Sequence, residues 1–235
     1  MKKKLGIFLL IFLLSFAQNN CDQTENRESS FNWKTLRAVA EAYYNNPSTE
    51  NAHKFYLALP RQFIPVTKYR EDGFEPIVDF ILEESNLIKL EKQIYASDRN
   101  AVKVAFRLFN LADGTSGEIL ELILGDLIPI NPKLYLEELR AHKNTYFVKN
   151  IGPPLQNFGW IDSNEELENR IRLRIKALES VKDKELIEIR DECIRILKSM
   201  KYYIPPFKKT VHHKSEVNTI GNSFFCLRQI SRNFF

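Results

Sequence analysis

The chain has 235 residues, 44% of them hydrophobic and 27% charged, which is enough for one large domain or two small ones with a real core. Its formal net charge of +4 is concentrated at the ends: Lys2, Lys3 and Lys4 open the chain, and after residue 207 five basic residues face a single acid, Glu216. The body between is slightly acidic and carries no basic stripe, which excludes nucleic acid as an expected partner.

The three lysines lead into LGIFLLIFLLSF, an apolar run from Leu5 to Phe16 broken only by Gly6 and Ser15. A basic start, a short apolar core and small residues after it predict a secretory signal peptide over 1–20. The run is shorter than the roughly 20 residues a membrane-spanning helix needs. The competing reading, a buried N-terminal helix, does not account for the lysines. Two cleavage sites compete. Ser15 and Ala17 suit a general signal peptidase cutting after Ala17, and Cys21 offers the other site.

The stretch up to Cys21 resembles a bacterial lipoprotein signal: a short export segment, a cysteine near residue 20 and a polar segment after it. Gln18, Asn19 and Asn20 stand where that family has a leucine and two small residues. The resemblance implies that the Cys21 thiol receives diacylglycerol and that Cys21 becomes the mature N-terminus. The membrane would then be a partner through this N-terminal lipid, at the bacterial cell envelope. From Asp22 to Ser30 there is no apolar residue, so 21–31 reads as a flexible tether. A tether suits a lipid-anchored domain, and it also suits a soluble periplasmic or secreted chain cut at Ala17.

The body reads as successive helices. Leu36, Val39, Ala40, Tyr43 and Tyr44 recur on one face of Trp33–Asn45. Ser48 or Thr49 caps the next helix, which carries Ala52, Phe55, Tyr56 and Leu59 and stops at Pro60. Residues 61–73 are expected to be irregular. Pro76 suits an early helical position ahead of Ile77, Phe80 and Ile81, and Leu90 and Ile94 continue the pattern. Asp98 caps a helix striped with Ala101, Val102, Ala105, Leu108 and Phe109. After the turn at Asp113-Gly114 comes GEILELILGDLIPINP, apolar on nearly every side, and so a buried central helix. Asn131-Pro132 starts another helix, through about His142.

Residues 145–164 hold Gly152, Pro153, Pro154 and Gly159 and read as an irregular linker. Two long helices follow over 165–204. The first is marked by Leu167, Ile171, Ile175 and Leu178, the second by Leu186, Ile189, Cys193, Ile196, Leu197 and Met200. A short turn near Lys182 makes them an antiparallel αα-hairpin packed on the helical domain of 32–144. The tail 205–235, basic and aromatic, is expected to be largely disordered. The fold class is all-α: an irregular multi-helix bundle or a short α-solenoid of helix pairs, ending in a long αα-hairpin. The pairs resemble HEAT- or armadillo-type solenoids in architecture, although no signature recurs at a fixed period.

Few residues carry chemistry. His212-His213 have no further ligand at a useful spacing, so no metal and no cofactor is expected. Glu83-Glu84 and Glu137-Glu138 are neighbours on helices, point apart and read as exposed faces. The 113–117 turn either presents amides to an anion or simply joins two helices. Cys193 and Cys226 either pair or stay free, with Cys193 on an apolar seam. Pro153, Pro154, Phe158 and Trp160 are the candidate partner-binding residues. They either form an exposed stiffened anchor or fold down over helix ends. No catalytic set is visible. The expected function is a helical protein-binding or scaffold module for an envelope partner. The alternatives are an envelope hydrolase whose site is assembled from scattered residues, and a structural or stress-related envelope protein with no small ligand.

Overall fold

The computed structural model describes residues 31–112, 114–143, 152–159, 161 and 163–200. The leader, Cys21, the tether to Ser30, Trp160 and the tail with His212, His213 and Cys226 lie outside the described residues. Two units are distinguished, 1–33 and 34–235. In the first, the Phe31 ring meets the Trp33 ring edge-on, centroids 4.8 Å apart. The second is the helical body.

Among the described residues all regular structure is helical. Helix α1 (Trp33–Asn45) buries Leu36, Ala40, Tyr43 and Tyr44 along one face. Helix α2 (Thr49–Ala58) starts at Ser48, whose hydroxyl accepts from the Asn51 N–H at 3.2 Å. The 61–73 stretch, expected to be irregular, holds a short helix, α3 (Val66–Glu71). Pro65 sets φ at −59° before its first turn and the Tyr69 ring is buried, which anchors a segment too short to show periodicity. Helix α4 (Glu75–Ile81) carries Pro76 in its first turn, and α5 (Glu84–Tyr95) buries Leu87, Leu90 and Ile94. Helix α6 (Arg99–Leu108) is capped by Asp98, which accepts from the N–H groups of Asn100 at 2.8 Å and Ala101 at 3.1 Å.

Helix α7 (Gly114–Ile130) takes in Gly114 to Gly117 as its first turn, so these residues join two helices. Helix α8 (Pro132–His142) is capped by Asn131, which accepts from the Leu134 N–H at 3.1 Å. Helix α9 (Gly152–Gln156) lies inside the segment expected to be irregular. Helices α10 (Asn164–Ser180) and α11 (Ile187–Ser199) pack on each other through a turn that ends in a 3-10 helix, Lys184–Leu186.

Helix α7 is the hub. It buries Leu120, Leu122, Ile123, Leu124, Leu127 and Ile128 and touches α5, α6, α8, α9 and α10. At about 2 kcal/mol for each buried aliphatic side chain, those six are worth as much as the whole net stability of an ordinary domain. Around it the helices stand in two rows. One runs α1, α4 with α5, α7, α10: the Tyr44 hydroxyl donates to the Ile81 carbonyl at 2.9 Å, and α7 contacts α5 on one side and α10 on the other. The second runs α2, α6, α8, α11, each in contact with the next.

Neighbours in the second row run parallel. The Thr49 hydroxyl donates to Asp98 at 2.5 Å where α2 and α6 begin, and the Asn110 amide donates to the Pro60 carbonyl at 2.8 Å where they end. Asp98 therefore fixes two helix starts at once. Asp98→Ala, which orphans two backbone N–H groups and releases Thr49, should lower stability by about 1–2 kcal/mol. A urea midpoint equal to that of the unmodified chain would refute this.

Candidate functional site

The segment that holds Pro153, Pro154 and Phe158 is a strap lying along α7. Its residues meet α7 between Glu118 and Gly125. The Asn157 amide donates to the Glu118 carbonyl at 3.1 Å and to Glu121 at 3.2 Å. Gly159, at φ 66°, would bring a β-carbon within 3.2 Å of Leu122. At Gly125 a β-carbon would stand 2.7 Å from the Pro154 carbonyl oxygen. Glycine at 125 is what lets the strap approach the helix.

Pro154 is buried and Phe158 is only 4% exposed, so neither side chain stands on the surface as the anchor reading requires. That reading is corrected for these two residues: they bind α7 and α10 of their own chain. Nothing is described of the Pro153 side chain or of Trp160.

Across the strap lies Arg174, on the buried face of α10 and 2% exposed. Its Nη1 donates to the Leu155 carbonyl at 2.6 Å and its Nη2 to Asp126 at 3.3 Å. The guanidinium lies over the Phe158 ring, 3.9 Å from the centroid. A β-carbon on Gly125 would meet Nη2 at 2.5 Å. Arg170 adds a bond from the same helix to the Phe158 carbonyl at 2.9 Å. Burial pulls the Arg174 pKa below its usual value, and Asp126 opposes this. Arg174 is not among the residues singled out from the sequence. It stands inside the apolar stripe of Ile171, Ile175 and Leu178, and a cation in an apolar stripe was the signal.

Behind this group the Tyr135 ring and Cys193 are buried. The Tyr135 hydroxyl has no hydrogen-bond partner among the described residues. Burial pushes the Cys193 thiol up to about 12, which makes it a small apolar side chain rather than a nucleophile.

A second cluster joins α6 to α8. Glu137-Glu138 were expected to be exposed, and the structure corrects this for Glu138, which is 2% exposed. It turns inward because α8 packs that face on α6. Arg99 donates to Glu138 Oε1 at 3.1 Å and also pairs with Glu137. Glu138 Oε2 is buried without a hydrogen-bond partner among the described residues. Burial holds this carboxyl above its usual pKa, with Lys103 and Arg99 acting against the shift.

His142 is also buried, its Nδ1 2.8 Å from the Glu138 carbonyl and its ring stacked on Phe106 at 5.2 Å. Burial lowers its pKa, the Glu138 carbonyl opposes, and the charges of Arg107 and Lys103 add to the lowering. Beside it Arg107 donates to the Tyr56 hydroxyl at 2.6 Å and lies over that ring at 4.2 Å, with the Lys103 ammonium 5.8 Å from the same ring.

An open recess of about 780 Å3 at the start of α10 is bordered by Ser163, Glu165, Glu166, Glu168, Asn169 and Arg172. Among the described residues no group of three or more His, Cys, Asp and Glu side chains is placed to hold a metal ion. Among the same residues no helix is long and apolar enough to cross a membrane. Comparison with protein-family models, with curated proteins and with solved structures finds no match to this chain.

Two outcomes follow from these clusters. Arg174→Met removes the bonds to the Leu155 carbonyl and to Asp126 and should cost about 3 kcal/mol, read from urea unfolding. Arg174→Lys should not restore it, because one ammonium cannot reproduce the fork. Burial holds the Glu138 pKa in the folded chain above its ordinary value. Its contribution is therefore full below the unfolded pKa and is lost as pH rises through the folded one. Unfolding followed from pH 4 upward should show the unmodified chain losing stability relative to Glu138→Gln. A constant difference across that range would refute the assignment.

Proposed function

We propose that this protein is an exported, lipid-anchored helical module of the bacterial cell envelope that holds a protein partner. One observation carries the reading: a basic and apolar leader, Cys21 and a wholly polar tether precede a helical body whose deepest charged groups are engaged by its own helices. Cys21 would carry the lipid, and residues 22–30 would give the body reach above the membrane surface.

The buried ionisable groups favour binding over hydrolysis. Glu138 and His142 are a carboxyl and an imidazole whose pKa values burial shifts, and their side chains are 3% and 5% exposed, which keeps a substrate from them. Arg174 is likewise enclosed by Leu155, Asp126 and Phe158. The paired helices, which resemble HEAT- and armadillo-type solenoids in layout, suit a surface built for protein contact.

Intact-mass analysis of the membrane fraction tests the anchor. The expected product begins at Cys21 and carries acyl groups, and Cys21→Ala releases the protein from membranes. A mature chain beginning at Gln18 without acyl groups would defeat the anchor. Affinity capture of the tagged full chain from envelope extracts, followed by protein identification, tests the second half. Recovery of the protein alone would defeat the partner reading.

A further inference from the structure

The seam between α6 and α8 is lopsided in charge. Helix α6 brings cations to it. Arg99 meets Glu137 and Glu138, Lys103 faces the Glu138 carboxylate, and Arg107 lies over the Tyr56 ring of α2. Helix α8 answers with the acids Glu137 and Glu138 and, one turn beyond Glu138, with the imidazole of His142.

His142 is held where a positive charge finds little support. Its side chain is 5% exposed, and its ring is stacked on Phe106 and edge-on to Tyr56 at 6.0 Å. Nδ1 donates to the Glu138 carbonyl at 2.8 Å. The Glu138 carboxylate oxygen Oε2 stands 3.9 Å from Nδ1, beyond hydrogen-bond reach, and Oε1 already accepts from Arg99. Among the described residues the side-chain charges that shift the ring's titration are the cations of Arg107 and Lys103. The groups that other neighbours bring to α8 are engaged elsewhere. Arg174 of α10 pairs with Asp126 of α7, Glu192 of α11 with Lys143, and Glu185 and Asp183 of the turn with Arg140 and Lys133, while Cys193 of α11 acts on Tyr135.

We propose that His142 is an acid-sensitive catch in the second row: a proton taken up on its ring sets a cation against Lys103 and Arg107 and loosens α6 from α8. This goes beyond the partner-binding reading and does not depend on it. The folded His142 pKa lies below its ordinary value, first through burial. The neutral ring therefore contributes stability that is full above the ordinary imidazole pKa, about 6.5, and is lost as pH falls through the folded one. Glu138 acts the other way, because burial raises its pKa, and restores stability as pH falls on toward the carboxylate range. The loosening is thus confined to mildly acid conditions.

The test reads amide hydrogen exchange of the full chain in detergent micelles at about pH 7 and about pH 5.5, each rate divided by that of unstructured peptide at the same pH. The amides of α6 and α8 should lose protection severalfold at the lower pH, while those of α1 and α5 keep theirs. His142→Phe, which keeps a ring on Phe106, should remove the acid response. Lys103→Gln, which takes one cation from beside the ring, should move the His142 titration upward, followed by NMR of the histidine-labelled chain, and should shrink the response.

Equal protection at both pH values, the same loss in His142→Phe, or a loss shared by every helix would each overturn the catch. If His142→Phe does not fold, Lys103→Gln decides: a smaller acid response upholds the catch and an unchanged one overturns it.

Discussion

The fold depends on one buried charge. Moving a guanidinium out of water costs several kcal/mol unless its N–H groups and its charge are met inside. Arg174 is met on three sides at once, by the Leu155 carbonyl, the Asp126 carboxylate and the face of Phe158. Those partners belong to the strap and to α7, while Arg174 belongs to α10. A single side chain thus fastens three segments of the chain. Arginine suits this because it stays charged and holds a rigid fork of donors. Gly125 supplies the room, since any side chain there would occupy the space of both the guanidinium and the strap backbone.

The two rows of helices are held by different forces. The α7 row is dominated by apolar burial, which is strong and carries little directional information. The second row adds polar links at its edges: Asp98 to Thr49, Arg99 to Glu137 and Glu138, Lys133 to Asp183. The exposed pairs, Arg99 with Glu137 and Lys133 with Asp183, contribute a few tenths of a kcal/mol to about 1 kcal/mol each, so they do not carry the fold. They align helix starts, which burial alone does not do.

Much of this was legible in the sequence because helical stripes are a direct image of burial. The faces of α1, α2, α5 and α6, a cap at Ser48 or Thr49, the cap at Asp98, the helix start at Asn131-Pro132 and the hub character of α7 all follow from residue spacing. What stayed hidden depends on contacts between distant segments. Arg174 shares a stripe with Ile171 and Leu178, yet only the strap makes its burial tolerable. Glu138 looks like half of an exposed acidic pair until α6 is laid against it. The 152–156 helix contains two prolines and is too short for any period, and α3 was missed for the same shortness. Phe158 reads as a ring folded over helix ends or as an exposed anchor, and the Arg174 cation over its face decides between them.

The fit of Gly125 to Arg174 also constrains descent. A larger residue at 125 is harmful while the arginine is in place, and losing the arginine first breaks its bonds to Leu155 and Asp126. Neither position has an easy first step away from its present state. Lineages that keep this strap should therefore inherit the glycine and the arginine together. A descendant lacking one of them is expected to have rebuilt the crossing between strap and helix.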